Sequence, residues 1–466
     1  MATDWMKILK LTAIASLILI FNTGCSIDSK SPEELIKEKP IYNEKKEELY
    51  KAIEQELTLN SLILPSNSSE VGKINEVDLD SDGVDEIIAF EKKEIKANSE
   101  NESEVGFMIL SKNKNERYTY TDNLLEKGES IEYGNFYDLN QDGIKEIILL
   151  IKEGDKEKYK GKTNLHIYSY KDNEINKIYT LNPGWIEDKE NLSDMKIKIG
   201  HMNDDNIVDI LFMNYNLKTN KAYLSLAEFE KRLIIRDFIE FENIKSVSDS
   251  YITIGNIDKD KIGIILDMPT IKDNNYMTQM LYIEDNDLIK VFSDYDKSIM
   301  KPYYIPVQDI NNDKIIDIPI VNGSGAIYTV KNSTIISWYK WNGKSKENSR
   351  LVFSCQVYYN YQYNYKLMIP EILENKLDIK EEFSDGNPLF KFYYYDTVKN
   401  KPIDLFTISL ANKKILDESK SVGPQSTIIL NESTENVFIL YINNENEMKK
   451  LNLSADSIRE FFSLIY

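Results

Sequence analysis

The sequence predicts a mainly β chain built from repeats of about 55 residues, read as propeller blades or β-solenoid turns, with a small α+β domain at the end. Three observations carry this expectation. An acidic motif recurs: DLDSDGVDEII from Asp78, DLNQDGIKEII from Asp138, HMNDDNIVDIL from His201, NIDKDKIGIIL from Asn256 and DINNDKIIDIP from Asp309. The intervals are 60, 63, 55 and 53 residues. Each motif runs into an apolar strand-like segment. Period-two hairpin patterns then follow, as in LHIYSYKDNEINKIYTL, QMLYIEDNDLIKVFS and IISWYKWNGKSKENSRLVFS. Their expected turns, Asp172-Asn173, Asp285-Asn286 and Asn342-Gly343, are short and polar, as hairpins require. Helical repeats of this length would show a period of 3.6, which these segments lack.

The elements fall in order along the chain. Lys7 and Lys10 precede an apolar run over 11–21, too short to span a bilayer and suited to the core of a signal peptide. Thr23-Gly24-Cys25 then resembles the lipobox of bacterial lipoproteins, with Asn22 standing where such motifs carry an aliphatic residue. The resemblance implies cleavage after residue 24, a lipid on Cys25 and anchoring to the outer face of the bacterial cell membrane. An ordinary secretory signal with an incidental Cys is the alternative. Residues 25–42 read as a polar tether with a short helical turn, in which Ser31, Pro32 and Glu34 form a capping signature. A docking helix is expected over 43–58, with Leu49, Ala52, Ile53 and Leu57 on one face and Glu47 and Lys51 four apart. The β repeats occupy 59–364 and the α+β tail 365–466.

Composition narrows the function. A formal charge of -20 over 466 residues argues against nucleic acid, whose phosphates need a basic patch. Two Cys and two His leave no material for a disulfide framework or a clustered zinc site. Thirty Tyr against four Trp is β-leaning usage.

The acidic loops resemble the calcium loops of FG-GAP/VCBS-type, integrin-like β-propellers of bacterial exported proteins, over roughly residues 60 to 350. The resemblance implies blades stacked around an axis, with each loop joining two strands of one blade. Five loops imply at least five blades.

The chemistry of the loops agrees. Calcium takes several oxygen ligands, which a tight loop presents from alternating positions. The first loop offers Asp78, Asp80, Asp82 and Glu86 at positions 1, 3, 5 and 9, with the Val84 carbonyl at 7 and Gly83 at the bend. The second offers Asp138, Asn140, Asp142 and Glu146, with the Ile144 carbonyl and Gly143. The fifth keeps Asp309, Asn311, Asp313 and Asp317 but has Lys314 at the bend, where a side chain is strained and its charge opposes a cation. The third begins with His201, a poor calcium ligand, before Asn203, Asp205 and Asp209; Asn206 tolerates the bend. The fourth has Asn256, Asp258 and Asp260 but Ile264 at position 9, and is expected to be free of metal. An EF-hand would need a carboxylate at position 12 and a following helix. Ala89 and Leu149 stand there, and strands follow.

Catalytic patterns are sparse. The sequence holds no P-loop, dinucleotide fingerprint or HExxH. NGSGA around Ser324 is not the GxSxG elbow, and both His166 and His201 lie upstream of it. Tyr359, Tyr361, Tyr363 and Tyr365 alternate, so they are expected on one strand face, for packing at the junction with the tail or for stacking on a ligand. Cys355 sits among apolar neighbours as a buried small hydrophobe. In the tail, strand-like segments are expected near 375–382, 389–396, 403–410, 426–431 and 436–442. A last helix capped by Ser454 would present Ile458, Phe461, Phe462 and Ile465 on one face. The expectation is a lipid-anchored, calcium-stabilised propeller that binds an unidentified protein or glycan and is not an enzyme. The alternative is an exported carboxylate-dependent enzyme acting on cell-wall or extracellular polysaccharide.

Overall fold

The computed structural model describes residues 44–57, 60–97, 100–113, 115, 117–153, 163–181, 192–203, 205–216, 218–272, 275–294, 296–321, 333–344, 348–384, 386–396, 401–413 and 428–465. The expected leader, the expected tether with Ser31, Pro32 and Glu34, Cys25 and Ser324 lie outside them. The chain falls into two units, Met1–Thr58 and Leu59–Tyr466. In the first, the helix Glu44–Glu56 has Ile53 buried and Leu49, Ala52 and Leu57 half-buried, whereas Tyr50, Lys51 and Glu54 are exposed. This is the apolar face its spacing predicts. No helix among the described residues is long and apolar enough to cross a membrane.

The second unit is mainly β, and its strands form six antiparallel sheets in chain order. The first sheet holds Ile74–Val77, Glu86–Ala97, Glu100–Lys112 and Tyr118–Lys127, with Asn60–Leu62 added on Glu86–Ala97. Ser130–Tyr137, Glu146–Lys152, Thr163–Lys171 and Glu174–Leu181 form the second as a simple meander. Leu192–Gly200, Asp209–Asn216, Lys221–Phe229 and Leu233–Phe241 form the third in the same way. The fourth repeats the plan over 251–290, and Met300–Lys301 joins it.

Burial explains why the second strand of each repeat reads as unbroken apolar sequence. Ile147, Leu149 and Ile151 pack with Ile88, Phe90 and Phe107 of the first sheet. Ile148 and Leu150, on the opposite face, pack with Ile197, Ile210 and Phe212 of the third. A strand covered on both faces needs an apolar residue at every position. Edge strands are instead open to solvent, as in Glu174–Leu181, where Leu181 alone is buried. Each fully buried Ile or Leu contributes about 1.5–3 kcal/mol, so these inter-sheet layers are the main stabilising term.

Two hairpin turns lie where expected. Asp172 and Asn173 have φ of 54° and 65°, and Asp285 and Asn286 have 52° and 68°, the left-handed pair of a type I′ turn. The third differs. Ser333–Trp341 and Leu351–Asn360 are joined by residues 342–350, a longer connection in which only the left-handed Gly343 keeps the expected role.

The C-terminal region departs further from expectation. Tyr365–Ile369 pairs with Leu351–Asn360, and Phe462–Leu464 closes on Tyr365–Ile369, so both belong to the fifth sheet with Ile318–Ile320 and Ser333–Trp341. The expected boundary at residue 365 therefore falls inside a sheet. Tyr359, Tyr361, Tyr363 and Tyr365 do not share one strand: the chain turns at 361–364, with Asn364 at φ 53°. Tyr359 and Tyr365 are buried, Tyr363 is half-buried and Tyr361 is exposed. Tyr365 packs against Phe390, Phe438 and Phe462, which ties the fifth sheet to the sixth. Strict alternation cannot distinguish one long strand from two short ones joined by a polar turn. The sixth sheet comprises Leu377–Ser384, Asn387–Asp396, Lys401–Asn412, Asn436–Ile442 and Ile428–Glu432, close to the expected segments. Ser454 caps the last helix through a reciprocal bond with Ser457, but the helix stops at Phe461. Phe462 is extended, and its ring enters the core from a strand rather than from the helix face.

Candidate metal centre

Three of the five acidic motifs are loops between strands of the first three sheets, at 78–85, 138–145 and 201–208, and a fourth, at 309–316, precedes Ile318–Ile320 of the fifth sheet, with the isolated bridge of Gln308 to Asp317 at its base. One hydrogen-bond framework recurs in all four. The position-9 carboxylate accepts the backbone N–H of position 2: Leu79 to Glu86 at 3.1 Å, Leu139 to Glu146 at 2.8 Å, Met202 to Asp209 at 2.9 Å and Ile310 to Asp317 at 3.2 Å. The position-3 oxygen accepts from position 5 in three of them: Asp80 from Asp82, Asn140 from Asp142 and Asn203 from Asp205; in the fifth loop the Asn311 amide instead donates to Asp313 Oδ1 at 3.3 Å. The position-5 carboxylate accepts from position 7: Asp82 from Val84, Asp142 from Ile144, Asp205 from Ile207 and Asp313 from Ile315. Leu79, Leu139, Met202 and Ile310, at position 2, are buried and pin each loop to the core.

The bend at position 6 is left-handed throughout: φ is 86° at Gly83, 90° at Gly143, 61° at Asn206 and 71° at Lys314. Position 4 is left-handed too, with φ of 60° at Ser81, Gln141 and Asn312. Sequence reading missed this second turn because Ser and Gln do not advertise it. Gly143→Ala is expected to cost about 1–2 kcal/mol, since a Cβ is disfavoured at this φ. A urea midpoint unchanged by the substitution would contradict that.

The fourth motif is not a loop. Tyr251–Asp258 and Lys261–Pro269 form a tight hairpin around Lys259 and Asp260, with Asp258 opposite Lys261. Asn256 and Ile264 lie within the strands, so the position pattern is broken. Ile264 offers no carboxylate to hold the N–H of position 2, and a two-residue turn replaces the loop.

The first loop brings three carboxylates together. One carboxylate oxygen each from Asp78, Asp80 and Glu86 lies within 4.8 Å of the others. Asp78 Oδ1 is buried without a hydrogen-bond partner, while Oδ2 accepts from Gly83 N at 3.2 Å. Burial pushes the Glu86 carboxyl up to about 7, and the charges of Asp80, Asp82 and Asp78 add to it. Asp82 is exposed and Val84 is partly so, and neither belongs to that cluster. In the second loop Asp138 is satisfied by the N–H groups of Asp142 and Gly143, and the Asn140 amide donates to Glu146 Oε1 at 3.1 Å. Burial, with Asp142 and Asp138 nearby, pushes the Glu146 carboxyl up to about 7. In the third, His201 Nδ1 meets the Ile207 carbonyl oxygen at 3.0 Å, so the ring closes the loop across an expected ligand position. Burial raises Asp209 to about 6.

In the fifth loop the structure adds a residue that sequence reading did not include. Lys340, from the neighbouring strand Ser333–Trp341, pairs with Asp313 and lies 3.1 Å from the side-chain oxygen of Asn311 and 3.9 Å from Asp317 Oδ1. It follows the motif by more than twenty residues, so the spacing within the motif carried no signal for it.

Neighbouring loops are also bonded to one another. Lys145 N donates to the Leu79 carbonyl at 2.8 Å, Ser81 bonds the Gly143 carbonyl, and Gln141 reaches the Asn206 carbonyl at 3.0 Å. Ile316 N donates to the Asn256 carbonyl at 2.8 Å. The loops thus form a seam joining successive sheets. A separate cavity of about 310 Å³ includes Glu70, Glu132, Lys196 and Lys198 in its lining. These four charges are engaged locally: Lys198 pairs with Glu70, Glu132 accepts from Ser66 and Ser130, and Lys196 reaches the carbonyls of Ser248 and Ser250. Cys355 is buried, and burial, with Asp317 nearby, pushes its thiol up to about 11.

No protein-family model matches the chain, and no curated protein matches it. Among solved structures, the exotype rhamnogalacturonan lyase YesX aligns with a TM-score of 0.30 and 11% identity, over 72% of this chain and 64% of that one. A rhamnogalacturonan lyase of Bacillus licheniformis gives 0.31 and 10%, over 79% and 89%. A protein from Lactobacillus plantarum gives 0.29 and 6%, over 72% and 86%. Likenesses this weak carry no argument for fold or function.

Proposed function

We propose that the chain is a calcium-stabilised β-propeller serving as a binding scaffold, exported and held at the outer face of the bacterial membrane through a lipid on Cys25. The observation that supports it most is the loop framework repeated at 78, 138, 201 and 309, each with a buried carboxylate at position 9. The first loop fits a hard cation best, because it clusters carboxylate oxygens of Asp78, Asp80 and Glu86 and leaves Asp78 Oδ1 buried without a partner. Asp78, Asp80 and Glu86 would hold the ion there, and Asp138, Asn140 and Glu146 in the second loop. Calcium would neutralise the crowded charge and stiffen the seam between sheets. The metal is read as scaffold, and the partner as a protein or glycan bound elsewhere on the surface.

The test is crosslinking and capture from intact cells, with wild type and Cys25→Ala, each with and without chelator. The reading expects membrane retention only with Cys25 and a captured partner only with calcium. Equal retention and chelator-independent capture for both proteins would overturn it.

A further inference from the structure

The fifth loop differs from the others because its cation position is already taken. Asp317 is fully buried, and its Oδ1 has no hydrogen-bond partner. The ammonium of Lys340 stands 3.9 Å from that oxygen, pairs with Asp313 and approaches Asn311, the residues at positions 9, 5 and 3 of the loop. The remaining groups around the loop fit the same arrangement. Asp309 turns both oxygens to the backbone N–H groups of Asp313 and Lys314, at 3.0 and 2.7 Å. The Lys314 side chain is exposed.

We infer that Lys340 is an intrinsic counter-ion that replaces the metal in the fifth loop, so that this repeat holds its shape without calcium. The inference rests on the reading that the related loops bind calcium, but its first half stands without it. A divalent ion placed beside a lysine ammonium meets like-charge repulsion, and the three oxygen-bearing side chains cannot serve both. Removing the ammonium leaves Asp317 buried and uncompensated, the condition under which a cation from solution becomes favourable.

The experiment uses the full chain and two arms. In chelator, thermal unfolding of wild type, Lys340→Gln, Asp313→Asn and the double variant forms a cycle. Lys340→Gln is expected to lower Tm by on the order of 4 °C, with the double variant losing clearly less than the sum of the singles. Additive losses would overturn the counter-ion role, whatever the other loops bind. In the second arm, calcium alone is titrated and the bound ions per chain are counted. Lys340→Gln should bind one more calcium than wild type, while Lys340→Arg and Lys340→Gln/Asp313→Asn should match wild type. Equal counts for Lys340→Gln and a wild type that does bind calcium would overturn the replacement. A wild type that binds none would instead sink the calcium reading of the first two loops and leave the chelator cycle to decide the role of Lys340.

Discussion

Asp80→Ala is expected to abolish calcium binding at the first loop and the stabilisation that comes with it. At a free calcium concentration 100 times the dissociation constant, one site adds about 2.7 kcal/mol. Spread over a unit as large as 59–466, that corresponds to a rise in Tm of roughly 3–5 °C. The variant should lose that increment in calcium yet differ little from wild type in chelator. Without metal, Asp80 has two opposed effects. Its oxygen accepts the Asp82 N–H at 3.2 Å, which is favourable by about 1 kcal/mol. Its charge also crowds Glu86, whose carboxyl is already pushed up to about 7 by burial. Loss of the bond and relief of the crowding offset each other. Asp82→Ala should be milder in calcium, because Asp82 lies outside the cluster of Asp78, Asp80 and Glu86. Asp260→Ala, in the two-residue turn of the fourth repeat, should change nothing. Thermal unfolding at fixed calcium, with the dissociation constant measured calorimetrically, checks the series. A full calcium response in Asp80→Ala would remove the first loop from the metal reading.

What the sequence revealed follows from how local each determinant is. The loops were legible because position, spacing and bend all lie within nine residues. Gly83, Gly143 and Asn206 take the left-handed bend their types allow, and Lys314 takes it against its type because the rest of the framework holds. The order of the first five sheets followed from the repeat, the sixth lies in the segment expected as a separate tail, and buried second strands such as EIILLIK announced burial on both faces. Three features were beyond reach, two of them because they depend on segments distant in sequence. Lys340 enters the fifth loop from another strand. The turn at 361–364 is hidden by tyrosines that keep alternating through it. Phe462 continues the helical spacing of Ile458 but leaves the helix, because strand pairing with Leu367 wins. The collapse of the fourth loop was foreshadowed chemically, since Ile264 cannot supply the carboxylate that braces the others. The tight hairpin that replaces it was not.

A larger loss of stability is expected away from the loops, at Lys301→Ala. Lys301 and Asp267 are buried to within 1% and pair at 2.8 Å in the fourth sheet. Asp267 also accepts from Thr278 Oγ1 at 2.5 Å, and Lys301 reaches the Ile305 carbonyl at 3.2 Å. Burial holds the Lys301 ammonium below its ordinary range, with Asp267 opposing that trend. Burial, with the Asp267 charge close by, pushes the Tyr304 phenol up to about 12. The pair contributes little net stability, because desolvating two ions nearly cancels their attraction. Removing one partner is a different matter. It strands a carboxylate in the core and opens a cavity, and should cost about 3–5 kcal/mol. Lys301→Met fills the cavity but still strands the charge, so most of the loss should remain. Lys301→Met with Asp267→Leu removes both ions, and its stability should return to within about 1 kcal/mol of wild type or exceed it. Urea unfolding of the three variants decides the matter. If the double variant is as unstable as Lys301→Met, the cost lies in lost hydrogen bonds to Thr278 and Ile305 rather than in the unpaired charge. If Lys301→Ala loses less than about 1 kcal/mol, water reaches Asp267 and the pair is not the sealed element its burial indicates.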